Sequence, residues 1–211
     1  MRRFKDALYL VTDSTNLDEE EFLERVCKAC KSGVDIVQIR EKEKTAREIM
    51  RLGEAVKEIT DKFNIPLIID DRVDIAYALG VGVHLGSSDL PVSVARKILG
   101  PDAIIGASAK SVEVAKECER QGANYLGVGA IRPTKTKVIT KLTSVDTLDD
   151  ISKNVDIDVF AIGGLNKDNI DILNDLNISG VCVVRAVMQR SDADRAVQEL
   201  KQKIKSIRSQ C

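Results

Sequence analysis

The chain has 211 residues, 44% of them hydrophobic, and its 32 Lys and Arg against 33 Asp and Glu leave a net charge of −1. That balance, with only 3% aromatic residues, gives nucleic-acid binding neither a basic surface nor stacking platforms. No apolar run reaches membrane-spanning length, and the opening MRRFKDALYLVTD sets Asp6 ahead of a strand-sized run, unlike a signal peptide, so the expected location is the cytoplasm.

Short runs rich in Val, Ile and Leu alternate with longer amphipathic segments from end to end. Strands are predicted over 7–12, 35–40, 66–70, 82–85, 103–107, 123–129, 158–164 and 180–186. Helices are predicted over 18–32, 44–63, 72–79, 91–99, 111–121, 146–153, 166–176 and 191–208. Strand-like runs without polar alternation imply burial on both faces, as in parallel sheets covered by helices. Eight such units fit a closed (β/α)₈ TIM barrel, an α/β fold, spanning 1–211 as one domain. An open doubly wound sheet needs fewer strands and usually a glycine-rich first turn. Here the first strand runs into Thr12, Asp13, Ser14 and Thr15, with no glycine.

Five cysteines, an odd number without a secretion signal, argue for reduced thiols. Cys27 and Cys30 share helical spacing with Phe22, Leu23 and Val26, so both are expected to be small apolar fillers rather than a metal or redox pair.

In a parallel barrel, chemistry sits where strands run into loops, and the unusual polar residues cluster there. Gln38 and Arg40, two apart, point to one side of their strand, with Val37 and Ile39 on the other and Lys42 just beyond. A planar guanidinium beside a compact ammonium suits a polyphosphate. Asp70 and Asp71 close the third strand, and Asp89 follows the fourth after Gly86, Ser87 and Ser88. Carboxylates from adjacent loops, facing cations, suggest Mg²⁺ shared with phosphate oxygens, although Asp89 before Leu90-Pro91 also reads as a helix cap. His84, the single histidine, is either a general base or a hydrogen-bonded barrel residue. Ser108 lacks the partners of a covalent nucleophile and reads as a phosphate-facing or proton-relaying hydroxyl. After the sixth strand come Arg132, Pro133, Thr134, Lys135, Thr136 and Lys137, a stiff turn with hydroxyls and cations. Gly163 and Gly164 can bring backbone amides close to a ligand, and the loops after strands seven and eight are a recurring phosphate site.

The stretches VQIREK (37–42), IIDDRVDIAYALGVGVHLGSSDLP (68–91), IIGASAK (104–110), GVGAIRPTKTK (127–137), AIGGLN (161–166) and GVCVVRAV (180–187) resemble those of the thiamine-phosphate synthase family. The resemblance implies a transferase that joins a pyrimidine diphosphate to a thiazole phosphate and releases pyrophosphate. It implies Gln38, Arg40, Lys42, Asp70, His84, Gly86, Ser108 and Lys137 around the pyrimidine diphosphate, with Arg40, Lys42, Ser108 and Lys137 catalytic. Mg²⁺ would sit on Asp71 and Asp89, and the thiazole phosphate on Thr134, Thr136, Gly164, Val184 and Arg185. The implied partners are these small molecules, with no nucleic acid and no membrane. Asp70, where the family often has Asn, and Arg185, where it often has Ser, depart from the pattern. A thiazole tautomerase of the same fold and a non-catalytic phosphate-binding barrel are the alternatives.

Overall fold

In the computed structural model, which describes residues 4–134 and 142–208, eight parallel strands close on themselves in sequence order. They are β1 (Ala7–Val11), β2 (Ile36–Ile39), β3 (Leu67–Asp70), β4 (Gly82–Leu85), β5 (Ile105–Ala109), β6 (Tyr125–Gly129), β7 (Asp158–Ile162) and β8 (Gly180–Val183). Between and after them lie α1 (Glu19–Lys31), α2 (Ala46–Lys62), α3 (Val73–Leu79), α4 (Val92–Leu99), α5 (Val112–Arg120), α6 (Val145–Asn154), α7 (Arg185–Met188) and α8 (Ala193–Arg208). This is the (β/α)₈ TIM barrel that the alternation of runs predicts. Among the described residues, no helix is long and apolar enough to cross a membrane.

Alternation along each strand sorts side chains into two cores. Val37, Ile39, Leu126, Val128 and their counterparts pack outward against the helices. Ala7, Tyr9, Val11, Ile36, Ile68, Tyr125, Phe160 and Cys182 fill the barrel interior. There the rings of Tyr9, Tyr125 and Phe160 meet edge to face, with centroids 5.4 to 5.7 Å apart. They give the mouth a solid floor.

Helix starts follow local chemistry. Thr45 and Glu48 form a reciprocal capping box at α2, while Asp18, Ser111 and Ser144 accept backbone hydrogen bonds at the starts of α1, α5 and α6.

Three expectations are corrected. The segment 166–176 forms only a 3₁₀ turn, Ile170–Leu173. Asn166 and Asn169 bond neighbouring backbone groups with their side chains, and Asp175 sits at φ +65°, so short polar side chains compete with helix formation. The eighth strand stops at Val183, and a one-turn helix, α7, takes over its expected end. Finally, Cys27 is exposed whereas Cys30 is buried. The buried stripe of α1 runs through Phe22, Val26, Ala29 and Cys30, and position 27 turns off it.

Candidate active site

At the C-terminal rim, β2 and β3 bring cations and carboxylates together. Arg40 Nε lies 3.6 Å and Lys42 Nζ 3.1 Å from Asp70 Oδ2, and Lys42 also contacts Asp71. Burial pushes the Asp70 carboxyl up, against the pull of Lys42 and Arg40. For Lys42, burial works to lower the ammonium's pKa, but the bonds to Asp71 and Asp70 outweigh it and the net shift is upward.

Asp71 turns on a left-handed backbone, φ +61°, a conformation Asp tolerates better than most residues, with its amide bonded to the His84 carbonyl at 2.8 Å. Its carboxyl meets that of Asp89. Burial first, then the hydrogen bond its protonated form donates to this neighbour, hold Asp89 above the usual carboxylate range. Gly86, expected at the diphosphate, serves this arrangement: its amide donates to Asp89 Oδ2 at 2.7 Å. Among the described residues no group of three or more His, Cys, Asp or Glu forms a complete metal cage. Two converging carboxylates crowded by their own negative charge nevertheless suit a hard divalent cation that keeps its other positions for water and phosphate.

Gln38 and Arg40 share a side of the chain, as their spacing predicts, but at different depths. Gln38 is buried in the barrel, and its amide Nε2 donates to the Tyr9 hydroxyl at 2.7 Å. Arg40 stands just past β2, its backbone amide bonded to Thr12 Oγ1 at 3.1 Å. Further along the interior, the hydroxyls of Tyr9 and Tyr125 are 2.7 Å apart. Tyr125 OH is 3.2 Å from His84 Nδ1, and His84 Nε2 is 3.0 Å from Ser108 Oγ. Burial lowers the His84 pKa to about 4, so the imidazole is neutral at neutral pH. His84 is thus a hydrogen-bonded barrel residue tied to Ser108.

Glu41 escaped the sequence reading, which singled out only its neighbours Arg40 and Lys42. It is buried, accepting from Thr12 Oγ1 at 3.0 Å and Ser14 Oγ at 2.5 Å. This knot ties the loop after β1 to the turn that carries Arg40 and Lys42. Tyr9 and Tyr125 were missed too, being ordinary apolar members of their runs. A signal existed in the glycines. A Cβ on Gly106 would lie 2.0 Å from Tyr125 Cζ, and one on Gly127 would lie 3.2 Å from His84 Cε1.

Across the mouth, Thr134, Gly164, Val184 and Arg185 line one cavity of about 370 Å³ with Asn166 and Gln189. Gly163 and Gly164 have positive φ, and a Cβ on Gly164 would come within 2.4 Å of the Pro133 carbonyl oxygen. Their missing side chains first let the segment after β6 lie against β7, where Arg132 N bonds Gly163 O at 3.0 Å. Thr136 and Lys137 lie outside the described residues.

A cation–carboxylate cluster on one side of the mouth and a glycine-lined cavity on the other define the class: (β/α)₈ barrels with a polar site at the C-terminal end of the strands. The comparisons sharpen this. A family profile described as thiamine monophosphate synthase matches residues 8–187. Thiamine-phosphate synthase 2 of Streptococcus pneumoniae serotype 4 is 49% identical over 210 residues, covering 99% of this chain and 100% of that protein. The thiamine-phosphate synthase of Clostridium tetani is 44% identical over 194 residues, 92% of this chain and 93% of that one. Among solved structures, the thiamine phosphate pyrophosphorylase of Pyrococcus furiosus superposes with a TM-score of 0.86 at 36% identity, covering 95% of this chain and 96% of that one. The chain belongs to the thiamine monophosphate synthase family, transferases of thiamine biosynthesis.

Proposed function

We propose that this chain condenses 4-amino-2-methyl-5-(diphosphooxymethyl)pyrimidine with 4-methyl-5-(2-phosphooxyethyl)thiazole, or its carboxylated form with loss of carbon dioxide, to give thiamine phosphate and pyrophosphate. The observation that carries this reading is the pairing of Arg40, Lys42, Asp71 and Asp89 on one side of the mouth with the Thr134–Gly164–Val184–Arg185 cavity on the other. Two anionic groups can thereby be held over one floor. A tautomerase acting on the thiazole alone, or a passive phosphate binder, would have no use for the first cluster.

In the proposed mechanism the pyrimidine lies on the aromatic floor, oriented by Gln38 and close to the His84–Ser108 pair. Arg40, Lys42, Ser108 and Lys137 hold the diphosphate. Mg²⁺ held by Asp71 and Asp89 would supply further positive charge to the departing phosphate oxygens. The C–O bond to the methylene breaks first, its electron pair leaving with pyrophosphate, and the electron-rich aminopyrimidine carries the resulting positive charge. The thiazole nitrogen, positioned by its phosphate on Thr134, Thr136, Gly164 and the Val184–Arg185 backbone, then donates its lone pair to form the C–N bond. Fixed positive charge matters more here than a strong base. Holding both reactants together contributes several kcal/mol by replacing a bimolecular encounter.

The test is pyrophosphate release measured with each substrate alone and with both, with and without Mg²⁺. The expected result is release only when both substrates and Mg²⁺ are present. Turnover of the thiazole alone would favour the tautomerase reading, and binding without turnover the passive one.

A further inference from the structure

The barrel interior holds a continuous run of hydrogen bonds from Gln38 through Tyr9, Tyr125 and His84 to Ser108, drawn from β2, β1, β6, β4 and β5. Its direction follows from chemistry. An amide nitrogen only donates, so the bond from Gln38 Nε2 makes the Tyr9 oxygen an acceptor. The Tyr9 hydrogen must then go to the other hydroxyl in reach, Tyr125, 2.7 Å away. Tyr125 in turn gives its hydrogen to His84 Nδ1. A ring nitrogen that accepts carries no proton, so the imidazole hydrogen sits on Nε2 and is donated to Ser108 Oγ. Ser108 is left with its own hydrogen free to point into the mouth.

The reverse polarity is penalised. A cationic imidazole, or one protonated on Nδ1, would drive its hydrogen at Tyr125 and turn the Tyr125 hydrogen onto Tyr9. Tyr9 would then find an acceptor in the run only if the Gln38 amide gave up its Nε2 bond and turned its oxygen inward, so this polarity breaks the donor end of the run. The barrel is also shaped around these side chains. Gly106 and Gly127 stand where any Cβ would crowd Tyr125 and His84 respectively.

We propose that Tyr125, acting through His84, is a positioning residue for Ser108: the chain holds the imidazole as its Nε2–H tautomer and thereby turns the Ser108 hydroxyl hydrogen toward the departing diphosphate. The proposal rests on the reading above that the diphosphate binds at Ser108. It assigns the buried tyrosines a part in the reaction beyond filling the floor. With Nε2–H donating to Ser108 Oγ, the imidazole does not take up the hydroxyl hydrogen, which is left to donate to a phosphate oxygen, the interaction that strengthens as negative charge grows on the leaving group.

His84 is the only histidine in the sequence, which makes the test direct. Long-range ¹H–¹⁵N spectra of the ¹⁵N-labelled full chain at neutral pH should show a single tautomer, protonated on Nε2. Tyr125→Phe should mix or invert the tautomers and lower kcat roughly ten- to a hundredfold, by analogy with the loss when a partner orienting a metal-bound imidazole is removed. That loss should largely vanish when Tyr125→Phe is introduced into a Ser108→Ala background. Should Tyr125→Phe fail to fold, His84→Gln, whose amide can donate near the Nε2 position, should retain more activity than His84→Asn. An Nδ1–H tautomer in the wild-type protein, an undiminished Tyr125→Phe effect without Ser108, or the opposite order of the two amide variants would each overturn the proposal. Unchanged turnover of Ser108→Ala would overturn the diphosphate site itself, and the spectrum distinguishes that failure from a wrong tautomer.

Discussion

Lys42 and Asp71 are in direct ionic contact across the rim between β2 and β3, so a cation expected to meet phosphate is held by a carboxylate expected to meet metal. The contact is half open to solvent, where an ion pair contributes little stability, and it can be exchanged for substrate at small cost. Lys42→Ala should therefore fold normally yet lose about 2–4 kcal/mol of transition-state stabilisation, roughly thirty- to a thousandfold in kcat. Lys137→Ala should show a loss of the same order. Steady-state pyrophosphate release checks both, and near-normal turnover would remove the residue from the catalytic set.

The paired carboxylates set the response to metal. Asp71→Asn and Asp89→Asn should each raise the Mg²⁺ concentration for half-maximal activity by at least about tenfold, since each removes one of two protein ligands. Chelation of the wild-type enzyme should abolish turnover, and added Mg²⁺ should restore it. A Mg²⁺ titration unchanged in both variants would remove these residues from the metal site.

Asp70 places a third carboxyl among the rim cations, and the geometry says what that costs. Its carboxyl is driven up by burial and holds Lys42 and Arg40 by their charges. A buried acid whose folded pKa is raised destabilises the fold once ionised, because the unfolded chain releases its proton more readily. Asp70→Asn should leave stability at pH 7 unchanged or raised, and should lower KM for the pyrimidine diphosphate by freeing both cations. Urea unfolding and initial rates read the two effects separately.

His84 couples stability to pH. Its folded pKa of about 4 lies below the ordinary 6.5 of an unfolded chain, so the fold favours the neutral ring. Its contribution is complete above pH 6.5 and is lost as pH falls toward 4, where the unfolded chain takes up the proton more readily. Between pH 7.5 and 4.5 the wild-type protein should lose about 2–3 kcal/mol more unfolding free energy than His84→Gln. Equal losses in the two proteins would exclude this linkage.

Glu41 organises the rim without facing it. Glu41→Ala would leave Thr12 and Ser14 without their shared acceptor and loosen the turn that carries Arg40 and Lys42. The expected outcome is a destabilisation of about 1–3 kcal/mol, with KM for the pyrimidine diphosphate rising more than kcat falls. Glu41→Gln, which keeps one acceptor oxygen, should recover much of both.

Much of this protein was legible along the chain because strand alternation is local. The parity that sets Val37 and Ile39 outward and Gln38 and Arg40 toward the axis depends only on a period of two, and eight buried runs already favoured a closed parallel barrel over an open sheet. The caps at Asp18, Thr45, Ser111 and Ser144 are equally local, each side chain bonding the first turn of its own helix. What closure of the barrel alone decided is which inward residues meet. Tyr9 and Tyr125 are 116 positions apart and share a hydrogen bond, and His84 reaches Ser108 from a neighbouring strand. Glu41 turns inward among cations to bind two hydroxyls from the previous loop. Periodicity tells a side chain which way to face, whereas its partner across the axis depends on how eight strands are staggered around it, a property of the closed sheet as a whole.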